Sequence, residues 1–154
     1  MKSLPRLLFS ILLCELTGFL SSLYVMGEIN SWYATLTKPF FSPPNWIFGP
    51  VWTLLYALMG IYLYKVWVSK MKLRSLLLPL FALQLLLNFL WSLFFFNLHD
   101  PLLALIDILA LWFVLFVLIA KTSKTSWSIA WLLIPYILWV SFATLLNIAI
   151  LTLN

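Results

Sequence analysis

The stretch KPFFSPPNWIFGPVWTLLYALMG, Lys38–Gly60, decides how this chain is read, because it changes character partway along. Its first thirteen residues hold four prolines, at 39, 43, 44 and 50, and the rest is an uninterrupted apolar run. Proline fixes φ, removes an N–H donor and pushes the residue before it toward extended geometry. A regular helix is therefore expected only from about Pro50, where the missing N–H of a first-turn residue costs nothing. Before it stands a stiff loop carrying Trp32, Tyr33, Phe40, Phe41 and Trp46. Such a segment is ill suited to be a tether, and it reads as a lid across the mouth of a helical bundle.

The rest of the chain is built for a membrane. Of the 154 residues, 65% are hydrophobic and 8% charged, and the mean hydropathy is +1.10. A soluble domain carries about 25% charged residues, so this chain could not cover a water-facing surface. A bilayer core takes about 20 apolar residues per helix. Five runs qualify: 5–26, 46–68, 76–96, 101–120 and 127–151. None alternates as a barrel strand would. The expected fold is all-α, a single domain of five transmembrane helices with loop 27–45 as the lid. The N-terminus resembles a signal peptide in its basic start, but it has no small-x-small cleavage site and is read as a retained first span.

Charge sets the orientation. Lys2, Arg6, Lys65, Lys70, Lys72, Arg74, Lys121 and Lys124 fall on one side of a five-span bundle, and only Lys38 falls on the other. Basic residues in short loops stay cytoplasmic. The N-terminus is expected inside, in the cytoplasmic membrane of a bacterium. The positive charge thus reports topology and not a nucleic-acid partner, since no soluble basic face exists to bind one. Cys14 is the single cysteine and lies within a span, which excludes a disulfide framework and a thiolate metal site. No metal or resident cofactor is expected.

Side chains three or four apart share a helix face. Span one carries Ser10, Cys14, Gly18 and Ser22, a small-residue stripe suited to close helix approach, either within the bundle or between two copies. Span two carries Trp52, Tyr56, Gly60 and Tyr64; span three carries Gln84, Asn88 and Ser92, with Trp91 beside them; span five carries Pro135, Trp139, Ala143 and Asn147. Amides in a bilayer need partners and should face inward. They serve either as interhelical hydrogen bonds or, with the indole and phenol groups, as the wall of a pocket for a large planar apolar ligand. Glu15 and Asp107 are isolated acids within spans and form no relay. His99 reads as a solvated loop residue, and Trp112, Trp127 and Trp131 as lipid-facing anchors.

The segment NSWYATLTKPFFSPPNWIFGPVWTLLYALMG, Asn30–Gly60, closely resembles the signature of the TspO/MBR family of tryptophan-rich sensory proteins and translocator proteins. Further matches lie in QLLLNFLWSLFFF, ALIDILAL and LLIPYILWVSFATLLN, so the likeness covers nearly the whole chain. The resemblance implies a five-helix bundle, often a homodimer, that binds porphyrins such as protoporphyrin IX. In some members it extends to sterols or benzodiazepine-type ligands. It assigns the pocket to Trp52, to Gln84 and Asn88, to Trp139 and Ala143, and to the roofing pair Trp32 and Tyr33. Tyr56, Trp91 and Asn147 share those faces. The sterol-recognition segment of animal members has no counterpart in LLNIAILTLN, Leu145–Asn154, which favours tetrapyrroles over sterols. A light-dependent breakdown of porphyrin, which the resemblance attaches to Trp52 and Trp139, and a transporter are the competing functions. No acid–base pair, nucleophile or metal cluster marks a conventional enzyme.

Overall fold

The computed structural model describes residues 4–154; Lys2, one of the eight residues of the basic side, lies outside them. Seven helices run in order: α1 Leu4–Glu28, α2 Trp32–Thr35, α3 Asn45–Val68, α4 Arg74–Ser92, α5 Pro101–Ser123, α6 Trp127–Ala130 and α7 Ile134–Leu153. No strand occurs among the described residues. Five segments are long and apolar enough to cross a membrane: α1, α3, α4 with the turn that extends it to Asn97, α5, and α6 joined to α7. The chain is an integral multi-pass bundle, and the five runs read from the sequence coincide with these segments.

The boundaries differ where proline weighs less than expected. Helix α3 begins at Asn45, behind Pro44, whose carbonyl accepts from Ile47 N at 3.0 Å. Pro50 therefore sits inside the second turn, where its ring removes one hydrogen bond without stopping the helix. Helix α5 starts more conventionally. Pro101 holds its first position, and Asp100 Oδ1 accepts from Leu102 N at 3.1 Å and Leu103 N at 2.9 Å. His99, just before, has φ 52°, the left-handed turn that delivers the cap.

The small-residue stripe of α1 is a seam inside the bundle. Ser10, Cys14 and Ser21 are buried, and the Tyr56 ring lies against Gly18. On α3, a Cβ at Gly60 would come within 2.5 Å of Ile11 Cα, so the two backbones are in contact there. The buried stripe ends at Ser21, not Ser22. Steps of four residues overshoot a 3.6-residue turn, and three turns restore the face after eleven residues. That seam offers no free face to a second copy.

Helix α4 runs into a wider π turn over Leu93–Asn97. Leu98 N donates to Leu93 O at 3.0 Å, and the adjacent Phe95 and Phe96 are both buried. At the opposite end of the bundle, Arg6 lies 6.0 Å from the Trp67 ring and Arg74 Nη1 donates to Trp67 O at 3.1 Å. The basic residues are thus gathered at one end and the lid at the other.

Candidate functional site

A cavity of about 440 Å³ lies in the lid end of the bundle. Small-molecule sites commonly enclose about 300–1,000 Å³. The start of α3 supplies Phe48, Trp52 and Tyr56; the end of α4 supplies Asn88 and Trp91, and the π turn after it Phe95; α7 supplies Trp139, Ala143 and Asn147. Helix α1 closes the fourth side with Gly18, Ser22 and Val25, and Tyr33 comes down from the lid. Helix α5 contributes nothing to the wall. Exposed Phe19 on α1 and exposed Gly49 and Thr53 on α3 also border the cavity, so it opens sideways between these helices.

Aromatic rings set its shape. Trp52 stands perpendicular to Trp139, centroids 6.5 Å apart, and meets Tyr136 edge-on at 6.1 Å. Phe48 closes on Trp139 at 6.0 Å. Trp91 stacks on Phe95 at 5.2 Å. Edge-to-face rings hold one another in place and leave flat faces toward the space between them.

The amides knit this wall together. Tyr56 Oη donates to Asn88 Oδ1, and Asn88 Nδ2 donates to Tyr136 Oη at 2.8 Å, joining α3, α4 and α7. Trp91 Nε1 donates to Asn147 Oδ1 at 3.1 Å, and Asn147 Nδ2 to Pro101 O at 2.8 Å, joining α4, α7 and α5. Both readings of the amides therefore hold for Asn88 and Asn147, which are clasps and wall at once. Trp139 Nε1 is different: it is buried without a partner among the described residues.

The lid is fastened at three places. Tyr33 is buried against Phe95 and Phe96, at 6.2 and 5.7 Å, with Lys38 Nζ 4.5 Å above its ring. Burial pushes its phenol above the ordinary range, and a bond with Ser42 acts the other way. Glu28 Oε2 accepts from Ser31 Oγ at 2.9 Å and lies 3.2 Å from His99 Nε2, while the His99 ring stacks on Trp32 at 4.3 Å. His99 is thus a lid contact as well as an exposed loop residue. Finally, Thr37 N donates to Asn154 Oδ1 at 2.9 Å, and Asn154 Nδ2 donates to Thr37 O at 3.1 Å.

Of the residues singled out in the sequence, Tyr33, Trp52, Tyr56, Asn88, Trp91, Trp139, Ala143 and Asn147 border this cavity. Gln84 does not. It lies one turn deeper on α4, fully buried, with Nε2 3.7 Å from Met59 Sδ and Oε1 unpartnered. Trp32 does not either, because its ring turns outward onto His99 and Phe95. Phe40 on the lid and Trp46 in the first turn of α3 are exposed and cover nothing, so only part of this segment closes the mouth. Trp112 is not a lipid-facing anchor: half-buried, its Nε1 donates to Ser141 Oγ at 2.8 Å and clasps α5 to α7. Trp127 and Trp131 are exposed as expected. Sequence reasoning missed Glu15, Phe48, Phe95 and Phe96 as wall residues. An acid within an apolar span was the available signal for Glu15; the π turn that brings in both phenylalanines left none.

Four membrane-crossing segments around a roofed aromatic cavity, with a fifth packed behind them, define a multi-pass membrane protein with an internal chamber. The chain belongs to the TspO/MBR family, whose model matches residues 10–153. It is 45% identical over 149 residues to the tryptophan-rich protein TspO of Archaeoglobus fulgidus, covering 97% of both chains. It is 38% identical to the translocator protein of Bos taurus, over 88% of this chain and 82% of that one. To the tryptophan-rich sensory protein of Cereibacter sphaeroides it is 33% identical, over 81% of this chain and 78% of the relative. The family is one of membrane sensors and translocators.

Proposed function

We propose that this protein is a membrane receptor that binds porphyrins, protoporphyrin IX among them, in the lid-end cavity and thereby tunes their transport or metabolism. The observation that carries this reading is the cavity wall itself: perpendicular indoles at Trp52 and Trp139 in an apolar wall, with the buried Trp139 N–H unpartnered. A macrocycle supplies a flat area to meet that wall, and a polar substituent or ring nitrogen supplies an acceptor for the indole. Titration of the purified protein in lipid nanodiscs, read by tryptophan-fluorescence quenching, tests it. Saturable binding of protoporphyrin IX that weakens in Trp139→Phe supports the reading; quenching that never saturates, or is identical in the variant, overturns it.

The same indole pair supports a second reading, light-driven breakdown of the bound porphyrin, because oxidisable rings would flank a photoexcited guest. Illumination in air should then bleach the complex, and Trp139→Phe should slow the bleaching. As for orientation, the gathering of Arg6 and Arg74 around Trp67 at the end away from the lid favours that end in the cytoplasm. A C-terminal reporter active only outside is the expected result, and one active in the cytoplasm reverses the assignment.

A further inference from the structure

Glu15 stands close to the middle of α1 and borders the cavity. It is the one formally charged side chain on the wall; no Lys, Arg or His among the described residues lines the cavity with it. Several other polar groups there are already engaged. Ser21 Oγ donates to Thr17 O at 2.9 Å and Ser22 Oγ to Phe19 O at 2.7 Å. Asn88 and Asn147 are held between helices. The Glu15 carboxyl takes no part in these bonds. An acid at bilayer depth is costly unless it meets a partner, and such residues mark sites where something polar is handled. On α7, which borders the same cavity, Trp139 Nε1 is buried and unpartnered.

The two free groups have complementary demands. A carboxyl is satisfied by an N–H donor or a cation, and charge-assisted bonds of that kind are about twice as strong as neutral ones. An indole N–H is satisfied by an acceptor. We propose that Glu15 is a specificity-determining residue that takes an N–H or ammonium group of a planar aromatic guest. The cavity thereby prefers neutral or cationic guests over those that place a carboxylate in its inner part. The porphyrin half of this inference rests on the proposed function. For a dicarboxylic porphyrin it sets the pose: both acid groups stay toward the lid, where Lys38 lies over Tyr33, and the edge without acid groups faces α1.

The test uses wild type and Glu15→Gln in nanodiscs with three probes read by tryptophan quenching. These are protoporphyrin IX dimethyl ester, the same porphyrin with both acids converted to aminoethyl amides, and acridine orange as a planar cation that is not a porphyrin. Glu15→Gln should weaken the amine-bearing porphyrin and acridine orange about tenfold or more and leave the ester within about twofold. Equal change for all three probes, or no change for the cations, overturns the role of Glu15 while the porphyrin reading stands. If acridine orange alone binds and depends on Glu15, the porphyrin reading fails and this inference stands. If wild type binds none of the three, both fail. Glu15→Ser, which also removes the carboxyl, replaces the glutamine variant if thermal unfolding shows that variant to be damaged.

Discussion

The two ends of the bundle use the same kinds of side chain to opposite effect. At the basic end, Tyr62 Oη is bonded to Thr122 Oγ1 at 2.7 Å and its ring stacks on Phe81 at 5.6 Å. Met59, Leu77, Leu115 and Leu118 fill the remaining space, and each is fully buried. At the lid end, Tyr56, six residues earlier on the same helix, is also buried and bonded through its hydroxyl, yet its neighbours enclose a cavity. Leucine and methionine flow into gaps around rings. Tryptophans locked edge to face cannot. Here hydrogen-bonded aromatic residues sit in a solid core where aliphatics close around them, and beside a chamber where indoles held edge to face share the wall with Val25, Leu146 and Ile150.

Two glycines on the α1–α3 seam give the strongest way to break this contrast. At Gly60 an added Cβ meets the backbone of Ile11, which has nowhere to go. At Gly18 it meets a side chain and not backbone, the Tyr56 ring, which has the cavity beside it. Overpacking a filled site costs about 1–3 kcal/mol, and more with larger side chains. Gly60→Leu should therefore abolish the folded protein, and Gly60→Ala should lower the thermal unfolding midpoint clearly. Gly18→Ala should change the midpoint far less but reduce porphyrin affinity. Equal loss of stability at both glycines would mean the lid end is packed as firmly as the basic end.

Next in size is Asn88. Removing its amide strands the buried Tyr136 hydroxyl and leaves Tyr56 only the neighbouring Ser21, and an unsatisfied buried hydroxyl costs about 1–3 kcal/mol. Asn88→Ala should lower both stability and affinity, whereas Trp52→Ala should lower affinity several-fold to tenfold with little loss of stability. An aromatic wall contributes about 0.5–1.5 kcal/mol beyond burial, and Trp52 clasps no helix through a hydrogen bond. Trp127→Ala, on an exposed ring, should alter neither. Thermal unfolding and quenching titrations on the same samples separate these cases. An Asn88 variant that keeps its stability would make the amide a ligand contact and not a clasp.

The contrast also explains what the sequence could tell. Hydropathy over about 20 residues made the five spans legible, since each must be apolar for its full length. Trp52, Asn88, Trp139 and Asn147, which face periodicity placed on inward stripes, border one cavity. Periodicity could not report depth. Gln84 shares the face of Asn88, but one turn down the bundle is solid, and there the amide meets Met59 in place of open space. Nor could periodicity show which polar tip finds a partner across helices, and so Trp112, with Ser141 within reach, passed for a lipid-facing anchor. The wall residues of α1 were hidden for a related reason, since a stripe of small residues says that something comes close without saying whether it is a ring or a gap.

The smallest expected effect concerns the lid, and it asks whether the two ends also differ in motion. Asn154 holds Thr37 by both its donor and its acceptor, and its Nδ2 also donates to Ile150 O at 2.8 Å. The site is exposed, where hydrogen bonds sit near the lower limit of their worth, about 0.5 kcal/mol each. Losing the two to Thr37 in Asn154→Ala costs the closed lid about 1 kcal/mol, roughly a fivefold shift in its opening. Thermal stability should stay put, because no core residue moves. Porphyrin should dissociate up to about fivefold faster in a displacement experiment, and amide exchange should rise in residues 31–42 alone. If dissociation and exchange match wild type, the lid is held by Tyr33 against Phe95 and Phe96, and Tyr33→Ala becomes the variant that opens it. A rise in exchange extending into α4 at the basic end would show the two ends moving together and would remove the distinction between a rigid floor and a movable roof.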